Sequence, residues 1–157
     1  MLKGDINMDN YGELNLNGVV FELDKNIRRE NKFYIFESDE YEGMITVSMD
    51  VYFQKKEYEN EIVSPSISIN EHKTNVSEVE KLIGQCFKVD TVEEADERED
   101  TFYIFEHEPI EKYEFKILEI SEMKVHIQIK GTAIVDGYAQ PYETADFSGD
   151  FWLSLSK

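Results

Sequence analysis

Scarcity is informative here: one cysteine, three prolines and a minority of basic residues in a chain of 157. The lone Cys86 excludes an intrachain disulfide framework and a cysteine-rich metal knuckle. No apolar run approaches the roughly 20 residues needed to span a bilayer. Met1-Leu2-Lys3-Gly4-Asp5 leads into polar residues and not into the apolar core of a signal peptide, so a cytoplasmic location is expected. Positive charge is short, with 16 Lys and Arg against 34 Asp and Glu and a formal net charge of −18. Such a field repels phosphate backbones and anionic lipid, so neither nucleic acid nor a membrane is an expected partner. A glycine-rich phosphate loop, a nucleophile elbow and a metalloprotease helix are all missing.

What the chain does have is apolar payload. At 41% hydrophobic and 13% aromatic it is no disordered acidic tail. Its length suits one domain spanning residues 1–157, with a core that needs no staples. Two segments recur in order. Gly18-Val19-Val20-Phe21-Glu22-Leu23-Asp24 is echoed by Gly84-Gln85-Cys86-Phe87-Lys88-Val89-Asp90, and Phe33-Tyr34-Ile35-Phe36-Glu37 returns as Phe102-Tyr103-Ile104-Phe105-Glu106. A near-constant offset predicts a duplicated β unit, copy one at about 14–70 and copy two at 84–157.

Strand periodicity dominates. Ile45, Val47, Met49, Val51 and Phe53 alternate with Thr46, Ser48, Asp50 and Tyr52, which predicts a half-buried strand. Val125, Ile127 and Ile129 alternate with His126, Gln128 and Lys130, and Phe147, Gly149, Phe151, Leu153 and Leu155 share a face. Shorter strands are expected at 19–23, 33–36, 62–69 and 113–120, with Pro65 pushing 62–69 to an edge. Asp136-Gly137 reads as a two-residue hairpin turn. One connecting helix is expected near 76–83, from Ser77 and Glu80 as a capping box and Gly84 as its stop. The fold class is therefore mainly β, an antiparallel sandwich or barrel built from a duplicated unit with one short helix.

Candidate chemistry is thin. His72, His107 and His126 lack the close spacing of metal ligands, so no metal or cofactor is expected. Glu106-His107-Glu108 would alternate faces on a strand and not converge. Cys86 falls where Val20 stands in the first copy and is expected to pack as a small hydrophobe. Nothing in the linear sequence selects a catalytic pair from so many carboxylates. Nine tyrosines are many for one domain, and a few on one surface would make a binding patch.

The two copies differ sharply in one loop. It is basic in the first, with Lys25, Arg28, Arg29 and Lys32 against Glu30, and acidic in the second, with Arg98 as its base. Glu93, Glu94, Asp96, Glu97, Glu99 and Asp100, with Glu108 and Glu111 behind them, are the candidate partner-binding residues. Their expected partner is a basic protein, drawn by long-range steering.

In size, acidity and β-rich character without a catalytic motif, the chain resembles small acidic bacterial immunity proteins, cytosolic antidotes that neutralise toxins. The stretches Gly131-Thr132-Ala133-Ile134-Val135-Asp136-Gly137-Tyr138 and Pro141-Tyr142-Glu143-Thr144-Ala145-Asp146-Phe147 resemble uncharacterised bacterial families. The resemblance implies a non-enzymatic binding domain whose carboxylates occlude the active groove of a basic toxin. It carries over no functional residue. The alternative is a small-molecule-binding barrel or a hydrolase with a carboxylate-lined cleft.

Overall fold

The computed structural model describes residues 11–25, 31–37 and 43–157. The basic loop around Arg28 and Arg29, Tyr41 and the first ten residues lie outside the described residues. The protein is mainly β. Its strands are β1 (Gly12–Leu16), β2 (Val19–Glu22), β3 (Lys32–Glu37), β4 (Ile45–Tyr52), β5 (Lys56–Tyr58), β6 (Glu61–Val63) and β7 (Ser66–Lys73). Then come β8 (Cys86–Val89), helix α1 (Val92–Arg98), β9 (Thr101–Tyr103), β10 (His107–Pro109), β11 (Lys112–Ser121), β12 (Lys124–Asp136) and β13 (Glu143–Ser156).

An 11-stranded sheet runs β10-β9-β7-β4-β3-β13-β12-β11-β8, with β1 and β2 attached beside β13, while β5 and β6 form a separate hairpin. The sheet is antiparallel-rich and curls on itself into a half-barrel. Contacts between strands remote in the sheet order show the curl. Phe102 of β9 lies 5.1 Å, ring to ring, from Phe147 of β13, and His72 of β7 lies 6.0 Å from Tyr113 of β11. The alternating positions fill the interior: Ile45, Val47, Met49, Val51, Val125, Ile127, Phe151 and Leu153 are all buried. Strand β13 is the spine. Along one edge it pairs with β12. Along the other it pairs antiparallel with β1 through Phe147–Phe151 and parallel with β3 through Ser154, Leu155 and Ser156.

Several expectations change on contact with the fold. The expected helix at 76–83 is a single 3-10 turn, Val79–Leu82, and its first cap Glu78 makes no side-chain hydrogen bond. Val76 cannot join it because its carbonyl accepts from the Ile45 amide at 2.8 Å, which ties that residue to β4. The α-helix lies instead in the acidic segment read as a loop. Thr91 caps it, its hydroxyl accepting from the Glu94 amide at 3.1 Å, and Glu93 and Glu94 sit in the first turn where the helix dipole favours acids. Pro65 falls in the break between β6 and β7, and β7 is interior, held between β4 and β9. The β12–β13 hairpin is longer than two residues, since Asp136 pairs with Glu143.

The topology does not show the expected duplicated unit. Phe33 and Ile35 are buried as Phe102 and Ile104 are, so the matching letters share a burial pattern. Their partners differ. Strand β3 lies between β13 and β4, whereas β9 lies between β7 and β10, and the second copy bends after Tyr103. Among the described residues no helix is long and apolar enough to cross a membrane.

Candidate functional site

An irregularity in β7 organises the acidic end of the molecule. Met49 opposes Ile69 while Val47 opposes His72, so β7 carries one residue more than β4 over the same span. This bulge shifts the alternation and turns His72 inward. It also takes the backbone of Asn70 and Glu71 off the β4 ladder, and those groups need other partners. The end of α1 supplies them. The Arg98 guanidinium donates to the Asn70 carbonyl at 2.9 Å and to the Glu71 carbonyl at 3.0 Å. The Asn70 amide donates to Asp100 Oδ1 at 2.7 Å, and the Asn70 side chain donates to the Arg98 and Glu99 carbonyls.

Asp100 is the hub of this clamp and is 0% exposed. Its second oxygen accepts from Arg98 Nε at 2.7 Å and from the Tyr113 hydroxyl at 2.5 Å. His72 Nε2 lies 2.7 Å from the same hydroxyl. Tyr113 has one proton and gives it to Asp100, so the neutral imidazole is the Nε2–H tautomer, donating to the phenol oxygen. Burial pushes His72 down to about 4, the nearby Arg98 charge adds to the shift, and Asp100 opposes it. Burial also raises Tyr113, reinforced by its hydrogen bond to Asp100. Asp100 thus leaves the list of docking candidates, because its carboxylate faces the clamp and not solvent.

The other candidates stay outside. Glu93, Glu94, Asp96, Glu97 and Glu99 are exposed on α1, whose Ala95 is buried beneath them. Glu108 and Glu111 are half-buried and meet the β12–β13 loop. Tyr142 donates to Glu111 Oε1 at 3.3 Å, and its hydroxyl is raised by desolvation and then by Glu111 and Glu93. Tyr142 thus ties the β12–β13 loop to the connection between β10 and β11. Tyr138, 79% exposed at the same loop, is raised first by its hydrogen bond to Glu106, with Glu108 nearby. Beside it opens a groove of about 400 Å³, between the β5–β6 turn, the bend before β10 and the β12–β13 loop. Glu59, Glu61, Glu106, Glu108, Asp136 and Glu143 line it, and among the described residues no Lys or Arg does.

Histidines lie elsewhere. His107 packs against Tyr103, with ring centroids 4.7 Å apart. His126 bonds Asp150 at 2.6 Å and stacks on Trp152, so it is not simply solvated. Among the described residues no three His, Cys, Asp or Glu side chains are grouped to hold a metal ion. A larger groove of about 510 Å³ over β11–β13 mixes signs, with Lys116 and Lys130 beside Glu114 and Asp150.

Cys86 is exposed, contrary to expectation, because the strand presents its alternate residues Phe87 and Val89 to the core. Its thiol lies 3.5 Å from Glu114 Oε2 and is pushed up by partial burial and by that carboxylate. Native protein is expected to label fully with a thiol reagent at neutral pH, more slowly than an unperturbed thiol and faster as pH rises. Labelling that waits for unfolding would contradict this placement.

No protein-family model, curated protein or solved structure matches the chain.

Proposed function

We propose that this chain is a non-enzymatic protein-binding domain whose acidic face captures a basic partner. The observation that carries the reading is the setting of Tyr138 and Tyr142 among carboxylates from α1, β10 and the loops around the groove. Exposed tyrosines supply contact area at little entropic cost, and carboxylates supply steering and register. In its most concrete form the partner is a basic toxin, and the carboxylates fill its cationic substrate groove. A hydrolase or small-molecule reading would use the same groove. Glu59, Glu61, Glu106 and Glu143 stand exposed there, which suits docking better than an enclosed acid/base pair.

The test is surface plasmon resonance against the products of the genes adjoining this one. A basic product is expected to bind, with an association rate that falls as salt shortens the Debye length from about 10 Å at 0.1 M to about 3 Å at 1 M. Reversing Glu94, Glu97 and Glu99 to Lys is expected to slow association by at least about tenfold while thermal melting shifts little. An unchanged association rate places the binding face elsewhere.

A further inference from the structure

We propose that the groove over β11, β12, β13 and β1 is a binding site for a free short peptide, held by its two charged ends. The groove encloses about 510 Å³, within the range of small-ligand sites, and shares no lining residue with the acidic groove beside Tyr138. Its layout follows from strand register. Lys116 of β11 faces Gln128 of β12, Gln128 faces Asp150 of β13, and Asp150 faces Glu13 of β1. Side chains alternate across a strand, so this row turns outward together with Lys130 and Ser148 one step along. Phe115, Ile129 and Gly149, which lie between, are buried.

The groove is divided by charge. Lys116 and Lys130 stand on the neighbouring strands β11 and β12, and Asp150 and Glu13 on the neighbouring strands β13 and β1. An anion bridging the two lysines would lie between β11 and β12, and a cation bridging the two carboxylates between β13 and β1. Those two positions are two strand spacings apart, about 10 Å. An extended chain spans about 3.3–3.6 Å per residue, so three residues cover the same distance from ammonium to carboxylate. A single amino acid cannot reach both sides. A ligand of one sign would be repelled from one side or the other.

Both ends of the site are prepared for this task. Asp150 Oδ1 lies 2.6 Å from His126 Nε2, and its Oδ2 accepts from Gln128 Nε2 at 3.1 Å. These bonds fix the carboxylate and leave a lone pair on each oxygen for a peptide ammonium. At the other end Lys130 Nζ stands 3.5 Å from Glu114, a long ion pair, and the lysine side chain is 72% exposed. Such a pair contributes little, so Lys130 is free to turn to a peptide carboxylate while Glu114 keeps Lys88 opposite it. A second copy of the chain is a poorer occupant. The groove exposes no large apolar side chain to form an interface core, and every copy carries a formal charge of −18.

Nuclear magnetic resonance titration of the whole protein with triglycine, whose only charges are its two ends, tests the site. Saturable shifts are expected at the amides of Glu13, Lys116, Gln128, Lys130 and Asp150. N-acetyl-triglycine lacks the ammonium, triglycine amide lacks the carboxylate, and glycine is too short, so each should bind at least about tenfold more weakly. Lys116→Glu should weaken triglycine by at least about tenfold, and Lys112→Glu, on the same strand but outside the groove, by less than about twofold. Equal binding of triglycine and N-acetyl-triglycine, or no saturable shift by about 50 mM triglycine, overturns the site. Movement of the same resonances on dilution of the protein alone assigns the face to a second copy and overturns it too. None of these outcomes bears on the acidic face, whose test is association with a basic protein.

Discussion

Replacing Asp100 with alanine is expected to destabilise the protein by about 3–5 kcal/mol, the range for removing one partner from a buried ion pair. The carboxylate serves three donors at once: the Asn70 amide, the Arg98 guanidinium and the Tyr113 hydroxyl. Alanine leaves all three without their acceptor, and Arg98, whose side chain is 21% exposed, has little access to water. The cost therefore comes from the groups left behind more than from the carboxylate removed. Asp100→Asn keeps one good acceptor oxygen and should lose less. Tyr113→Phe deletes one donor and should cost about 1–2 kcal/mol. Urea titrations would read these as falls in midpoint at nearly constant slope. A fall worth less than about 1 kcal/mol for Asp100→Ala would mean that the clamp is loose and open to water.

A loss of similar size, about 3–5 kcal/mol, is expected for Phe151→Ala, through a different mechanism. Phe151 is fully buried on the β13 spine, and its ring meets Phe53 edge-on at 5.9 Å. Two glycines are shaped around it. A Cβ on Gly149 would come within 2.7 Å of the Phe151 ring and 3.0 Å of Ile129, and one on Gly12 would overlap the Phe151 backbone and Cβ. Gly12 also has φ +148, which L side chains rarely adopt. Neighbours reduced to glycine have no side chain with which to collapse into the void, so the cavity term should be near its full value. Phe151→Leu should recover more than half of the loss. Equal melting temperatures for Phe151→Ala and wild type would show that the packing here is not the tight fit described.

Alternation was readable wherever burial alone decided it. The inward residues of β4, β12 and β13 were legible because a half-buried strand must segregate its faces. Exposure of most of the α1 carboxylates was equally legible from their number. The burial of Asp100 was not, since Glu93 to Asp100 reads as one acidic run. What singles it out are Asn70 and Tyr113, brought to it by the sheet from distant parts of the chain. A local signal for the helix did exist, in Thr91 followed by Glu94 at capping distance. The repeat itself misled because identical letters fix which side chains turn inward, whereas strand partners are set by the rest of the fold. The groove beside Tyr138 had no local signature, as three separate connections build it.

The position of β13 has a consequence for synthesis. In the sheet order, β10-β9-β7-β4-β3 and β13-β12-β11-β8 are joined by the short parallel ladder between β3 and β13, and an antiparallel bridge from Leu23 to Phe53 ties the end of β2 to the end of β4. Among the described strands β3 is made early and β13 after the others. The earlier half can form its hairpins during translation, but its β3 edge stays unmatched until Ser154, Leu155 and Ser156 arrive. The sheet therefore cannot be completed before β13 is made, and a chain stalled ahead of it exposes a strand edge open to pairing with another chain.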